Sequence, residues 1–131
     1  MQAQNIVFRV RPYPPNADLE VLWRRVWQSG DAPGFSRLAL HSLTYVCAYD
    51  GNRLIGFVNV ATDGGVHAFL LDTSVDPDYR RHGVGTELVR RAVAACRGTG
   101  VTWLHVDYEP HLEEFYQRCG FAETKAGLIA L

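Results

Sequence analysis

The sequence predicts a mixed α/β domain, α+β in layout, built on one mostly antiparallel sheet. Three observations carry this. Two β-rich runs, Thr44 to Tyr49 and Arg53 to Ala61, are joined by Asp50-Gly51, a tight-turn pair in which glycine accepts positive φ freely. A third run, Val66 to Val75, follows the turn Asp63-Gly64-Gly65, so three antiparallel strands come in a row. A strongly amphipathic stretch, Gly83 to Arg97, then separates that run from another, Val101 to Val106. Strand, crossover helix and strand imply one parallel pairing at the end of the sheet.

The remaining elements read in order. Asn5 to Val10 is a short apolar, β-branched run, ended by Pro12, Pro14 and Pro15. Asn16 is suited to cap a helix in which Leu19, Leu22, Trp23, Val26 and Trp27 recur at helical spacing. Gly30 to Gly34 breaks it, and a weaker helical stretch, Phe35 to Ser42, follows. In the long helix Val84, Leu88, Ala92 and Cys96 form one stripe, widened by Gly85, Val89 and Val93. Its Arg90 and Arg91 face water within reach of Glu87, and Gly98 and Gly100 stop it. Pro110 opens a short helix striped by Leu112, Phe115, Tyr116 and Cys119, because a first turn does not need the N–H that proline lacks. Gly120 ends it, and Phe121 to Leu131 reads as a last strand. Trp23, Trp27 and Trp103 are expected in the core, with an aromatic acceptor-pocket role as the alternative for Trp23 and Trp27.

Length and charge bound the function. A chain of 131 residues is the size of one domain, residues 1–131. Its 13 basic and 14 acidic side chains leave a net charge of -1, so no basic excess points to nucleic acid or an anionic membrane. No apolar run approaches the ~18–20 residues of a membrane span. Met1 to Arg11 lacks the layout of a signal peptide. Cys47, Cys96 and Cys119 are odd in number and form no CxxC pair, which argues against a disulfide framework or a zinc site and for a cytoplasmic location. No metal site is expected, since His67, His105, Asp107 and His111 lack tight ligand spacing.

The chemistry concentrates in Val75-Asp76-Pro77-Asp78-Tyr79-Arg80-Arg81-His82-Gly83-Val84-Gly85-Thr86. Glycines uncover backbone N–H groups there, the helix start adds free donors and a positive dipole end, and Arg80, Arg81 and His82 add charge. Such a turn suits a diphosphate; it also fits a solvated basic turn before a helix. A P-loop is absent, and Leu88 stands where a dinucleotide fingerprint needs its third glycine.

Arg80-x-x-Gly83-x-Gly85, preceded by Val75-Asp76-Pro77-x-Tyr79, resembles the acetyl-CoA signature of the GCN5-related N-acetyltransferase (GNAT) superfamily. Phe115-Tyr116-x-x-x-Gly120-Phe121 is similar to that family's C-terminal motif, and the likeness covers roughly residues 44–121. The resemblance implies a central mixed, mostly antiparallel sheet of about 6–7 strands flanked by about four helices. It implies acetyl-CoA as cosubstrate and acetyl transfer to a primary amine by direct attack in a ternary complex. In that picture pantetheine hydrogen-bonds the backbone of Thr73, Ser74 and Val75, where their strand splays from the next. The diphosphate rests on Arg80, Arg81, His82, Gly83, Val84, Gly85 and Thr86. Tyr116 is the general acid toward the departing thiolate. The chain departs from the family pattern at Glu109, commonly Asn, and Leu112, commonly Ala.

The base is open at this level. Asp72 is a candidate because a carboxylate inside an apolar run is costly unless paired or functional; an ion pair would explain it equally. Glu109, Asp107, His105 and His111 gather near the end of the following strand as possible acceptor contacts. Tyr116 shares a stripe with Leu112 and Phe115 and also fits a packing role. Beside the enzyme stand two alternatives: an acyl-CoA-binding sensor of the same fold, and another nucleotide-binding fold, which the meander argues against. A homodimer is conceivable through the edge of the C-terminal strand.

Overall fold

The structure, a computed structural model, describes residues 5–27 and 32–131. Five strands form one sheet: β1 (Ile6–Arg9), β2 (Ser42–Asp50), β3 (Arg53–Thr62), β4 (His67–Val75) and β5 (Trp103–His105). Four helices flank it: α1 (Asn16–Val26), α2 (Phe35–Ala39), α3 (Val84–Cys96) and α4 (Glu113–Arg118). Spatial order follows chain order. β1 to β4 pair antiparallel, and β5 joins β4 in parallel after the α3 crossover, as the sequence predicts.

Alternation along the strands sorts side chains onto two faces. Val46, Ala48, Val58, Val60, Ala68 and Leu70 meet Val84, Leu88, Val89 and Ala92 of α3 in one core. Cys47, Leu54 and Phe57 meet Leu19 and Leu22 of α1 and Phe35 of α2 in the other. Gly56 lets α3 approach β3: a Cβ there would lie 3.1 Å from Leu88 Cδ1, 3.1 Å from Ala48 Cβ and 3.2 Å from Val84 Cγ1. Gly56→Ala is therefore expected to destabilise by about 1–2 kcal/mol through overpacking, read as a lower urea midpoint at unchanged slope.

Several expectations are corrected. Residues 121–131 hold no strand, so the sheet has five strands rather than six or seven. Their Ala122 to Gly127 run offers no apolar alternation, and Leu128 and Ile129 stay exposed. The C-terminal strand edge invoked for a homodimer is thus not formed. Asn16 is the first residue of α1 rather than its cap; Pro15 holds that position, and the Asn16 side-chain amide donates to Ser36 Oγ at 2.6 Å. Trp103 is 63% exposed and Trp27 41%, because α1 packs on β3 and β4 and leaves the β5 side of that face uncovered. Gly30, read as part of the helix break, lies outside the described residues.

Candidate active site

The site begins where β4 and β5 part. They pair only through His67↔Trp103, Ala68↔Leu104 and Phe69↔His105. Beyond that point β4 continues to Val75 while β5 ends, so one edge of Thr73 to Val75 has no strand beside it. On its other edge β4 stays paired to β3 through Ser74↔Phe57 and Val75↔Gly56. The result is a wedge-shaped opening lined by unpaired backbone.

A bulge in β4 sits at that opening. The register jumps between Phe57↔Ser74 and Asn59↔Leu71, which leaves Asp72 and Thr73 opposite one residue of β3. Asp72 takes φ 59, left-handed and strained for a residue with a Cβ. The bulge sends the two side chains to different faces. Asp72 lies near enough to Tyr13 for its charge to push that phenol upward, whereas Thr73 lies on the side of Tyr116. Burial raises the Asp72 carboxyl above its usual range, and it has no ion-pair or hydrogen-bond partner for its oxygens among the described residues. The ion-pair explanation for a mid-strand carboxylate thus finds no support there.

Tyr116 is buried on α4, stacked on Tyr108 at 5.0 Å between ring centroids and edge-on to Phe115 and Phe121. Burial pushes its phenol above the ordinary 10.0, and the Thr73 hydroxyl pulls part of that back. The group is thus a neutral donor at neutral pH, held at the mouth of the wedge. Glu109 caps the turn Pro110–Leu112 as exposed backbone, with His111 Nδ1 3.7 Å from its carboxylate. The structure brings Thr73 and Tyr116 together, turns Asp72 toward Tyr13 on the other face of the sheet, and leaves Glu109 at the surface.

The loop after β4 is held from behind. Asp76 is 1% exposed, and its carboxylate accepts from Arg25 Nε at 2.7 Å, Arg25 Nη2 at 3.0 Å and Arg53 Nη2 at 3.0 Å. It also caps the turn Pro77–Tyr79 by accepting from the Asp78 N–H at 2.9 Å. Tyr79 donates to Asp50. In front of this anchor, no backbone N–H from Arg80 to Thr86 donates to a protein acceptor among the described residues. Arg81 at φ 66 and Gly83 at φ 77 interrupt right-handed backbone and turn successive amides into a concavity at the start of α3. Arg80, Arg81 and His82 are exposed around it. Gly85 packs its bare Cα against the wedge, with space for a Cβ 3.5 Å from Phe115 and 3.7 Å from Val75.

Other groups have plainer roles. Burial pushes the Cys47 thiol up to about 12 and raises Cys96 and Cys119, so none is an activated nucleophile. His67 Nδ1 lies 2.8 Å from His105 Nε2, yet no group of three or more ligating side chains capable of holding a metal occurs among the described residues. The sequence passed over Asp76 although it stands inside the motif; its partners Arg25 and Arg53 lie 51 and 23 residues away.

Comparison with known proteins agrees with this geometry. The chain is 25% identical over 77 residues to an uncharacterized N-acetyltransferase, ycf52, of Pyropia yezoensis, covering 59% of this chain and 44% of that one. It is 36% identical over 70 residues to serotonin N-acetyltransferase 2, chloroplastic, of Oryza sativa, covering 53% and 35%. The chain thus spans less than half the length of these curated relatives. Among solved structures, a GNAT family acetyltransferase from Streptococcus pneumoniae superposes with TM-score 0.79 at 24% identity, covering 96% of this chain and 97% of that one. The profile of the Acetyltransferase (GNAT) family matches residues 10–121. With that match over most of its length, the wedge between β4 and β5 and the amide-lined turn before α3, the chain belongs to the GNAT acetyltransferase family.

Proposed function

We propose that this protein transfers the acetyl group of acetyl-CoA to a primary amine by direct attack. The observation that carries the proposal is the run of unpartnered amides from Arg80 to Thr86, set at the positive end of α3 and flanked by two arginines. That turn suits a diphosphate, and the unpaired edge of Thr73 to Val75 suits the amide-bearing pantetheine arm. The amine nitrogen attacks the thioester carbon and the carbon–sulfur bond breaks. Tyr116 protonates the leaving thiolate. The proton shed by nitrogen passes to the Asp72 carboxylate, whose raised affinity for protons suits it to receive one. We assign Glu109 no step, since it is exposed beside His111. We also place the protein in the cytoplasm, as its free cysteines suggest; no described helix is long and apolar enough to cross a membrane.

Acetyl-CoA at a hundredfold excess over its Kd is expected to raise the melting temperature by roughly 8 °C, about 2.7 kcal/mol of linkage. An unchanged melting temperature with both acetyl-CoA and CoA defeats the proposal. Binding without thiol release across a broad amine panel assigns the domain to a sensor instead.

A further inference from the structure

We infer that the acceptor is a small primary amine that arrives as an ammonium ion on an aromatic or bulky apolar body, with Asp72 as counter-ion. This rests on the acetyltransfer reading and specifies its second substrate.

Asp72 shares its face of the sheet with Ser74, Trp27 and Tyr13. Ser74 Oγ accepts from Trp27 Nε1 at 3.1 Å and donates to the Asp72 carbonyl at 2.9 Å, which fixes the indole beside the bulge. Trp27 is still 41% exposed, so part of its ring is open to a ligand. Tyr13, which feels the Asp72 charge, stands edge-on to Tyr45 at 4.7 Å and to Phe57 at 6.0 Å. Further along β4 on the same face, Phe69 is 37% exposed and stacks on His105 at 4.9 Å. One carboxylate with no partner among the described residues thus stands among aromatic surfaces.

Charge decides the class. Arg25, two residues before Trp27, is already taken by Asp76 and Asp78. A phosphate or carboxylate on the acceptor would meet the like charge of Asp72, which pairs with no cation among the described residues. An ammonium ion would meet a half-buried carboxylate and ring faces that attract cations; it gives one proton to Asp72 to free the lone pair for attack, and the second, shed once the carbon–nitrogen bond has formed, passes to solvent. An apolar body would cover exposed aromatic carbon along Phe69.

The test compares amines at saturating acetyl-CoA by thiol release. 2-Phenylethylamine is expected to exceed n-propylamine in kcat/KM by about tenfold, and glucosamine 6-phosphate and a lysine peptide by about a hundredfold. Asp72→Asn should raise the KM for 2-phenylethylamine more than tenfold while that for acetyl-CoA changes less than twofold. Trp27→Leu should narrow the preference for 2-phenylethylamine over n-propylamine. The wild-type ranking stands on its own if either variant fails to fold. Best turnover of the phosphorylated sugar or the peptide, or indifference to ring and charge, overturns this inference and leaves acetyl transfer intact. Transfer to no amine despite bound CoA overturns both.

Discussion

Tyr116→Phe is expected to lower kcat by about a hundredfold, with the affinity for CoA changed less than twofold. The ring's packing survives the substitution: Phe keeps the stack on Tyr108 and the edge contacts with Phe115 and Phe121. Only the hydroxyl beside Thr73 is lost, and with it the proton for sulfur. Burial raises this phenol above its ordinary 10.0, so any alkaline decline of wild-type kcat that comes from Tyr116 should be centred above that pH. Steady-state kinetics with a thiol-release readout, beside calorimetric titration with CoA, separates the roles. An unchanged kcat assigns Tyr116 to packing. An equal loss of kcat and CoA affinity assigns it to the shape of the pantetheine wedge.

The parts of the fold that were legible in the sequence are those governed by local chemistry. Asp50-Gly51 marks the place of a turn by backbone preference, although Asp50 still pairs with Arg53 and the loop is Gly51-Asn52, with Gly51 at φ 60. The α3 stripe is periodic because one face is buried, and Val84, Leu88 and Ala92 are indeed 3% exposed or less. The turn before α3 was legible because Gly83 must take a left-handed conformation that most residues avoid. What escaped depends on partners distant in the chain. Trp103 has the composition of a core residue, but whether it is covered depends on how far α1 reaches across the sheet. Phe121 to Leu131 is apolar enough at its end to suggest a strand, yet a strand needs an edge to pair with and the segment alone does not supply one. The β4 bulge left no mark in the sequence beyond a carboxylate in an apolar run. That mark identified Asp72 and did not reveal that its neighbour Thr73 would face the opposite way.

Asp76→Asn is expected to be the most damaging single substitution outside the catalytic groups. Asp76 ties together α1 through Arg25, the start of β3 through Arg53, and the turn that leads into the amide cradle. Asn keeps the shape and one acceptor for the Asp78 N–H but loses the charge-assisted bonds. Arg25 and Arg53 are 39% and 48% exposed and fall back on water, which moderates the cost to about 2–3 kcal/mol rather than that of an orphaned buried ion. The melting temperature should drop by roughly 6–10 °C. The sign of the pH effect follows from the same contacts. Burial pushes the Asp76 carboxyl up, but the Arg25 hydrogen bonds, the Asp78 N–H and the charges of Arg25 and Arg53 outweigh it and hold it below its ordinary 3.8. Its stabilisation is therefore complete above that value and fades as pH falls through the lower folded pKa. Acid melts of wild type should steepen below about pH 4, and the Asn variant should lack that component. The affinity for CoA should fall in the variant even where it is fully folded, because the cradle of Arg80 to Thr86 is aimed by the turn that Asp76 caps. A variant that melts lower and binds CoA normally would reduce Asp76 to a stabilising contact and leave the aim of the cradle to α3 alone.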